Sequence, residues 1–258
     1  VTTLHDLVLD VCAWSLENTP HDPWPPRAPL RDDRLDTSCG HGGATVTEAV
    51  VKTGDVLSIG AEVRYAQMLG VGPEILGSWD GGYATCRLRG TPNSSWLLSA
   101  RELLETRVWC HAAPTVDHTW REDLLARLGV VAPNWIVDEE TRLIHGDPTL
   151  GNTIVQDGMA YLIDPKPPGR GIPSVASVDR GKFLQSMLGW ERLKSGHWWP
   201  EQISPLADLE DLDLARAVWW CGVHLARIVQ RESGDTPAAR WALVRAEKLE
   251  ELTRCATS

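Results

Sequence analysis

The stretch LIHGDPTLGNTIVQDGMAYLIDP, residues 143–165, sets His145, Asp147, Asn152 and Asp164 among apolar and turn-forming neighbours. Within it, NTIV and MAYLID are short apolar runs separated by Asp157-Gly158, a pair that suits a type I′ turn because both positions accept positive φ. A hairpin closed there brings Asn152, at the entry of its first strand, and Asp164, at the exit of its second, to the same end. Asp147 lies five residues before Asn152, in a loop held by Pro148 and Gly151. Taken singly, each is an ordinary turn or strand-end residue. Together they form the oxygen set that phosphoryl transfer to a hydroxyl requires. One carboxylate orients the nucleophile and accepts its proton, while an asparagine and a second carboxylate hold magnesium against a triphosphate.

Outward from this stretch the chain divides into a β-rich part and a helical part. Residues 1–16 read as a short helix, and HDPWPPRAP then carries four prolines in nine residues, which forbids regular structure. LDTSCGHGGATVTEAVVK, residues 35–52, reads as a glycine-rich loop and a strand. Ser58 is placed to cap a helix through SIGAEVRYAQML, with Ile59, Val63 and Ala66 on one face and Gly70 just past its end. EILGSW and YATCRLR read as strands joined at Asp80-Gly81-Gly82. After Gly90-Thr91-Pro92 the pattern turns helical: SSWLLSARELLETRVWCH, WREDLLARLG, LEDLDLARAVWWCGVHLARIVQRE and RWALVRAEKLEELTR. The third of these puts Leu214, Val218, Cys221, Leu225 and Ile228 on one stripe. The fold expected is α+β and bilobal: a small antiparallel β-rich lobe with one helix, residues 1–90, and a larger mainly helical lobe, residues 91–258, carrying the hairpin.

Composition narrows the partners. The net charge of −10 opposes binding through nucleic-acid phosphates, which needs clustered Lys and Arg, and favours a cationic or neutral small molecule. No run of about 18 apolar residues occurs. The N-terminal residues lack the basic end and apolar centre of a signal peptide. The expectation is a cytoplasmic chain with no membrane partner; oligomeric state stays open. Six scattered cysteines without a C-x-x-C pair read as reduced thiols. Thirteen Trp stand against one Phe; most are expected in the core, although Trp also stacks on sugars and cations.

The run H145-G-D147-P-T-L-G-N152 resembles the H-G-D-x-x-x-x-N loop of the aminoglycoside phosphotransferase and choline kinase family, which has a protein-kinase-like fold, and Ile163-Asp164 resembles its metal motif. The resemblance implies that Asp147 is the catalytic base, that Asn152 and Asp164 bind magnesium, and that His145 supports the loop. It further implies that Asp179, in SVDRGKFLQ, anchors the loop. The chain departs from the family at Asp164-Pro165, where Phe or Trp is common, and Lys166 and Arg170 follow, placed either to face a phosphate or to keep the loop solvated. A kinase of this kind also needs a strand lysine on the phosphates and a helix carboxylate to hold it. Lys52 and Glu62 stand in that order, with Gly42 and Gly43 as the loop over the phosphates and residues 87–91 beside adenine. The cofactors implied are ATP, or another nucleoside triphosphate, and Mg2+. The acceptor that the resemblance implies is a small molecule of aminoglycoside, amino alcohol, sugar or nucleoside type, and the sequence does not choose among them. Glu201, Asp208, Glu210, Asp211 and Asp213, near Trp190, Trp198, Trp199, Trp219 and Trp220, are the candidates for a cationic acceptor. Two rival readings are a nucleotide-binding pseudokinase acting as a regulatory module and a metal-dependent hydrolase using His145 and Asp147.

Overall fold

The computed structural model describes residues 3–20, 39–41, 44–46, 49–88, 95–113, 119–169, 171–195, 205–232 and 236–256. In its sheet region β1 (Cys39–His41) pairs antiparallel with β2 (Ala44–Val46). In a separate sheet β3 (Ala49–Thr53), β4 (Ile75–Trp79) and β5 (Gly82–Cys86) run antiparallel in the order β3-β5-β4. The turn between β4 and β5 falls at Asp80-Gly81, where Gly81 takes φ 79°. One helix, α2 (Val56–Leu69), crosses this sheet and buries Ile59 and Val63 against Tyr83. Its start differs from the expected one. Asp55, not Ser58, is the cap, its carboxylate accepting the Ser58 N–H at 2.9 Å. Either residue type can satisfy an orphan first-turn donor, and the turn after β3 decides which one faces the helix end. Gly70 ends the helix at φ 61°, as its position predicts.

The helical region comprises α3 (Trp96–Arg107), α4 (Trp120–Leu128), the single turn α5 (Asn134–Val137), α6 (Ala176–Met187), α7 (Trp190–Ser195), α8 (Asp211–Glu232) and α9 (Pro237–Ala256). The long α8 packs against both α6 and α9. Its predicted stripe, Leu214, Val218, Cys221, Leu225 and Ile228, is buried along its length. At the α6–α8 crossing Gly181 lets the backbones touch: a Cβ there would lie 2.8 Å from the Cys221 nitrogen. Trp96, Trp109, Trp120, Trp190, Trp220 and Trp241 are buried, so these indoles fill the interior.

The N-terminal helix α1 (Leu4–Glu17) precedes the sheet in sequence but docks on α8 and α9. Val8 and Cys12 enter the same core as those helices. Arg245 of α9 clamps it, donating to Ser15 Oγ at 2.7 Å and to Thr19 Oγ1 at 3.0 Å. By contact, then, α1 belongs with the helical region and not with the sheet that shares its half of the sequence. The molecule is an α+β fold with a small sheet region and a larger helical region. Among the described residues no helix is long and apolar enough to cross a membrane.

The hairpin β6 (Thr153–Gln156) and β7 (Met159–Leu162) pairs Thr153 with Leu162, and its turn takes φ 53° at Asp157 and 77° at Gly158. It lies on α3 and is tied to the sheet side where Leu162 N–H donates to the Val71 carbonyl at 2.9 Å. That bond brings the end of α2 and the end of β7 to one place, so the hairpin meets the cleft between the two regions.

Candidate active site

The loop carrying Asp147 is held from beneath by Asp179. This fully buried carboxylate accepts the His145 N–H at 2.8 Å, the Gly146 N–H at 2.7 Å and the Trp109 indole N–H at 3.0 Å. Burial raises its pKa to about 6 against those three donors, which favour the ionised form. Gly146 takes φ 83°, and a Cβ there would collide with the Lys166 carbonyl oxygen. His145 is buried, and burial pushes its pKa down to about 4, so the ring is neutral at pH 7. A 3-10 turn over Leu150–Asn152 then leads into β6. It orients Asn152, whose Nδ2 donates to Asp147 Oδ2 at 3.0 Å and to the Asp147 carbonyl at 2.8 Å. The amide nitrogen is thereby committed to Asp147.

Asp164 follows β7 with φ 59°, a left-handed conformation that Asp tolerates better than most residues. Its carboxylate Oδ1 receives the Lys52 ammonium and, at 2.6 Å, the Lys166 ammonium. Lys52, the fourth residue of β3, also bonds both carboxylate oxygens of Glu62, at 2.6 and 2.8 Å. Tyr83, paired across the sheet from Lys52, donates its hydroxyl to Glu62 Oε1 at 2.6 Å. Burial opposes the charges of Lys52 and Asp164, but their ion pairs outweigh it: Lys52 is held above its ordinary pKa and Asp164 below. At Asp147 burial is likewise outweighed, here by the Lys182 ammonium 3.0 Å away, so the carboxylate stays ionised at neutral pH.

Lys52, Glu62, Asp164, Asn152 and Asp147 therefore converge from a strand, a helix, a hairpin and a loop. Gly42, Gly43, residues 89–91, Arg170, Trp198, Trp199 and Glu201 lie outside the described residues. Of the acidic run, Asp208 pairs with Arg101, and Asp213 with Arg180 at 2.8 Å. These acids are tied to helix arginines and do not line the space beside Asp147. Near them, Trp220 stacks edge-on against Trp219 and Trp190 packs on Trp241 inside the helical region.

Two cavities meet at the carboxylates. One, of about 580 Å³, runs under the sheet between Val50, Ile75, Cys86 and Leu88 above and Ile154 and Leu162 below, with Lys52, Asn152 and Asp164 at one end. Apolar walls with a polar end suit a flat ring attached to an anionic group. The second, of about 810 Å³, opens beside Asp147 and runs to the C-terminal part of α8.

No family model and no curated protein matches this sequence. Solved structures do match in shape. A protein assigned as a fructosamine-3-kinase from Thermobifida fusca YX-ER1 aligns with a TM-score of 0.51 at 16% identity, over 80% of this chain and 86% of that one. A choline/ethanolamine kinase family protein from Mesorhizobium loti aligns with a TM-score of 0.52 at 13% identity, over 79% and 82%. The chain shares the bilobal, kinase-like architecture of these proteins at a coarse level.

Among the described residues no three His, Cys, Asp or Glu side chains cluster as a metal cage. A magnesium ion carried by a triphosphate needs only one or two protein oxygens, and Asn152 and Asp164 line the same end of the first cavity. Two ammonium groups already gather on Asp164, which marks it as a place where positive charge is favourable. The residues present fit such an ion.

Two contributors, Tyr83 and Lys182, escape the sequence reading, and for a third, Lys166, that reading leaves a phosphate-facing and a solvated role open. Tyr83 is set by strand register, which nothing local in the sequence reveals. Lys166 lies in a loop, and its ammonium reaches Asp164 at 2.6 Å while its N–H donates to the His145 carbonyl at 2.8 Å. Lys182 had a readable signal: it stands three residues after Asp179, on the same face of α6.

Proposed function

We propose that the chain is a magnesium-requiring phosphotransferase that moves the γ-phosphate of ATP, or of another nucleoside triphosphate, to a hydroxyl of a small molecule. The observation that carries this reading is the convergence of Lys52, Glu62, Asp147, Asn152 and Asp164 at the junction of the two cavities. Lys52, held by Glu62, binds the phosphate chain. Asn152 and Asp164 hold the magnesium, which when bound neutralises charge developing on the phosphate oxygens. Asp147, ionised and aimed by Asn152, takes the hydrogen bond of the acceptor hydroxyl and fixes its lone pair in line with the γ-phosphate. A carboxylate of lowered pKa is a weak base, so its main contribution is orientation, with proton acceptance late in the transfer. In this reading the nucleotide lies between the sheet and the β6–β7 hairpin, and the acceptor enters beside Asp147. We predict that Asp147→Ala lowers transfer by about a hundredfold or more while nucleotide affinity changes little. Full turnover by this variant, measured as ADP release, would overturn the assignment.

The Lys166 ammonium on Asp164 favours a second reading, a module that binds nucleotide without transferring phosphate. ADP release that depends on an added acceptor excludes it.

A further inference from the structure

Nearly every carboxylate oxygen of the site already accepts from a donor. Glu62 gives both of its oxygens to Lys52, and Tyr83 adds a second bond to Oε1. Asp147 gives Oδ1 to Lys182 and Oδ2 to the Asn152 amide nitrogen. Asp164 gives Oδ1 to two ammonium groups at once, Lys52 and Lys166. Among the described residues this leaves one of these carboxylate oxygens without a donor, Asp164 Oδ2, together with the side-chain oxygen of Asn152, whose nitrogen is spent on Asp147. The two residues are neighbours across the hairpin: the Asn152 carbonyl accepts the N–H of Ile163 at 2.9 Å, one residue before Asp164. Two protein oxygens are what one magnesium ion on a triphosphate asks for.

A second ion in a phosphotransfer site stands about 3.5–4 Å from the first. Here it would have to draw on Asp164 Oδ1, against two ammonium groups. Lys52 has another carboxylate, Glu62, and a phosphate chain to move toward. Lys166 is held in place more firmly. Its N–H donates to the His145 carbonyl, its own carbonyl sits against Gly146 where no side chain fits, and Pro165, Pro167 and Pro168 restrict the backbone on either side of it. From that fixed backbone its ammonium meets Asp164 at 2.6 Å. Like charges so close repel strongly where water is partly excluded.

Protein kinases hold two magnesium ions with an Asp and an Asn. This chain has the same pair of residue types and differs by the lysine. We propose that the nucleotide binds here with a single divalent ion, and that Lys166, by holding Asp164 Oδ1, keeps a second ion out and supplies a fixed positive charge in its place. This rests on the phosphotransferase reading for the nucleotide, while the competition between Lys166 and a cation for Asp164 does not.

Electron paramagnetic resonance of Mn2+, used in place of magnesium, tests it on the full chain, with the chain in excess over a non-hydrolysable ATP analogue. One Mn2+ is bound per analogue. Lys166→Gln, which removes the ammonium, takes up a second Mn2+ about tenfold or more tightly than any second ion on the unaltered chain, and the signal broadens as two neighbouring ions couple. Without nucleotide, the same variant binds Mn2+ about tenfold more tightly than the unaltered chain does. Two Mn2+ on the unaltered chain overturn the proposal. So does a count of one in both proteins, since something other than Lys166 then limits the site. Should the variant fail to take up the analogue, equal Mn2+ affinity of the two proteins without nucleotide overturns it as well. A chain that takes one Mn2+ with the analogue yet releases no ADP from ATP keeps this inference and loses the phosphotransferase reading. Release of ADP with two ions bound does the reverse, and a chain that binds no analogue loses both.

Discussion

Asp179 spends both carboxylate oxygens on the Asp147 loop and on Trp109, away from solvent. Asp179→Asn would turn an NH2 group toward at least one of those N–H donors and leave it unsatisfied. The expected cost is about 1–3 kcal/mol in urea unfolding, with a loss of turnover as the loop shifts. Its neighbour His145 gives a pH signature. Its folded pKa of about 4 lies below the ordinary 6.5, so between those values the unfolded chain binds the extra proton. Stability from this group is present above pH 6.5 and is lost as pH falls toward 4. Asp179, raised from 3.8 to about 6, acts in the opposite sense, favouring the folded state as pH falls through the same range. The His145→Asn variant separates them. From pH 6.5 to 4 the unaltered protein should lose about 3 kcal/mol relative to it, read as the difference between two urea series. Parallel curves would show that His145 titrates as in the unfolded chain.

Elements hold these residues in place, and their accuracy depends on a few close approaches. The β6–β7 hairpin was legible because Asp157-Gly158 prescribes its turn, with both φ values positive as the turn type demands. The α8 stripe was legible because apolar spacing of three and four residues has one reading in a long helix. The start of α2 was not, since Asp55 and Ser58 are both acceptable caps and the preceding chain direction chooses. The α6–α8 contact was also hidden: a glycine inside a helix looks like a weak point until the partner backbone is seen against it. Gly181→Val should force the two helices apart and cost about 1–3 kcal/mol in unfolding free energy, because Trp220 and the Cys221 backbone leave no room for the added methyls. An unchanged midpoint would mean that α6 can shift freely, against the buried ties of Asp179 in the same helix.

Across the whole molecule, the sheet region and the helical region are joined at the site by Lys52 with Asp164 and by Val71 with Leu162. A ligand that fills the cavity between them should stabilise the folded chain as one unit. With MgATP at about one hundred times its dissociation constant, the expected gain is about 2.7 kcal/mol, or about 5–10 °C in melting temperature. The shift should vanish with EDTA and in Asp164→Asn; a full shift in that variant would remove Asp164 from the nucleotide site. The sequence by itself determined the local pieces: the turn chemistry of the hairpin, the order His145, Asp147, Asn152, Asp164, the Lys52 strand before the Glu62 helix, and the helical periodicities. These rest on interactions between near neighbours in the chain, which spacing encodes directly. Only the tertiary structure decided that α1 joins α9, that Tyr83 stands beside Glu62, and that cations, not Asp208 or Asp213 of the acidic run, line the space next to Asp147. Those outcomes depend on which distant faces are apolar enough to bury together and on where the remaining charges are then carried, and no local pattern records that.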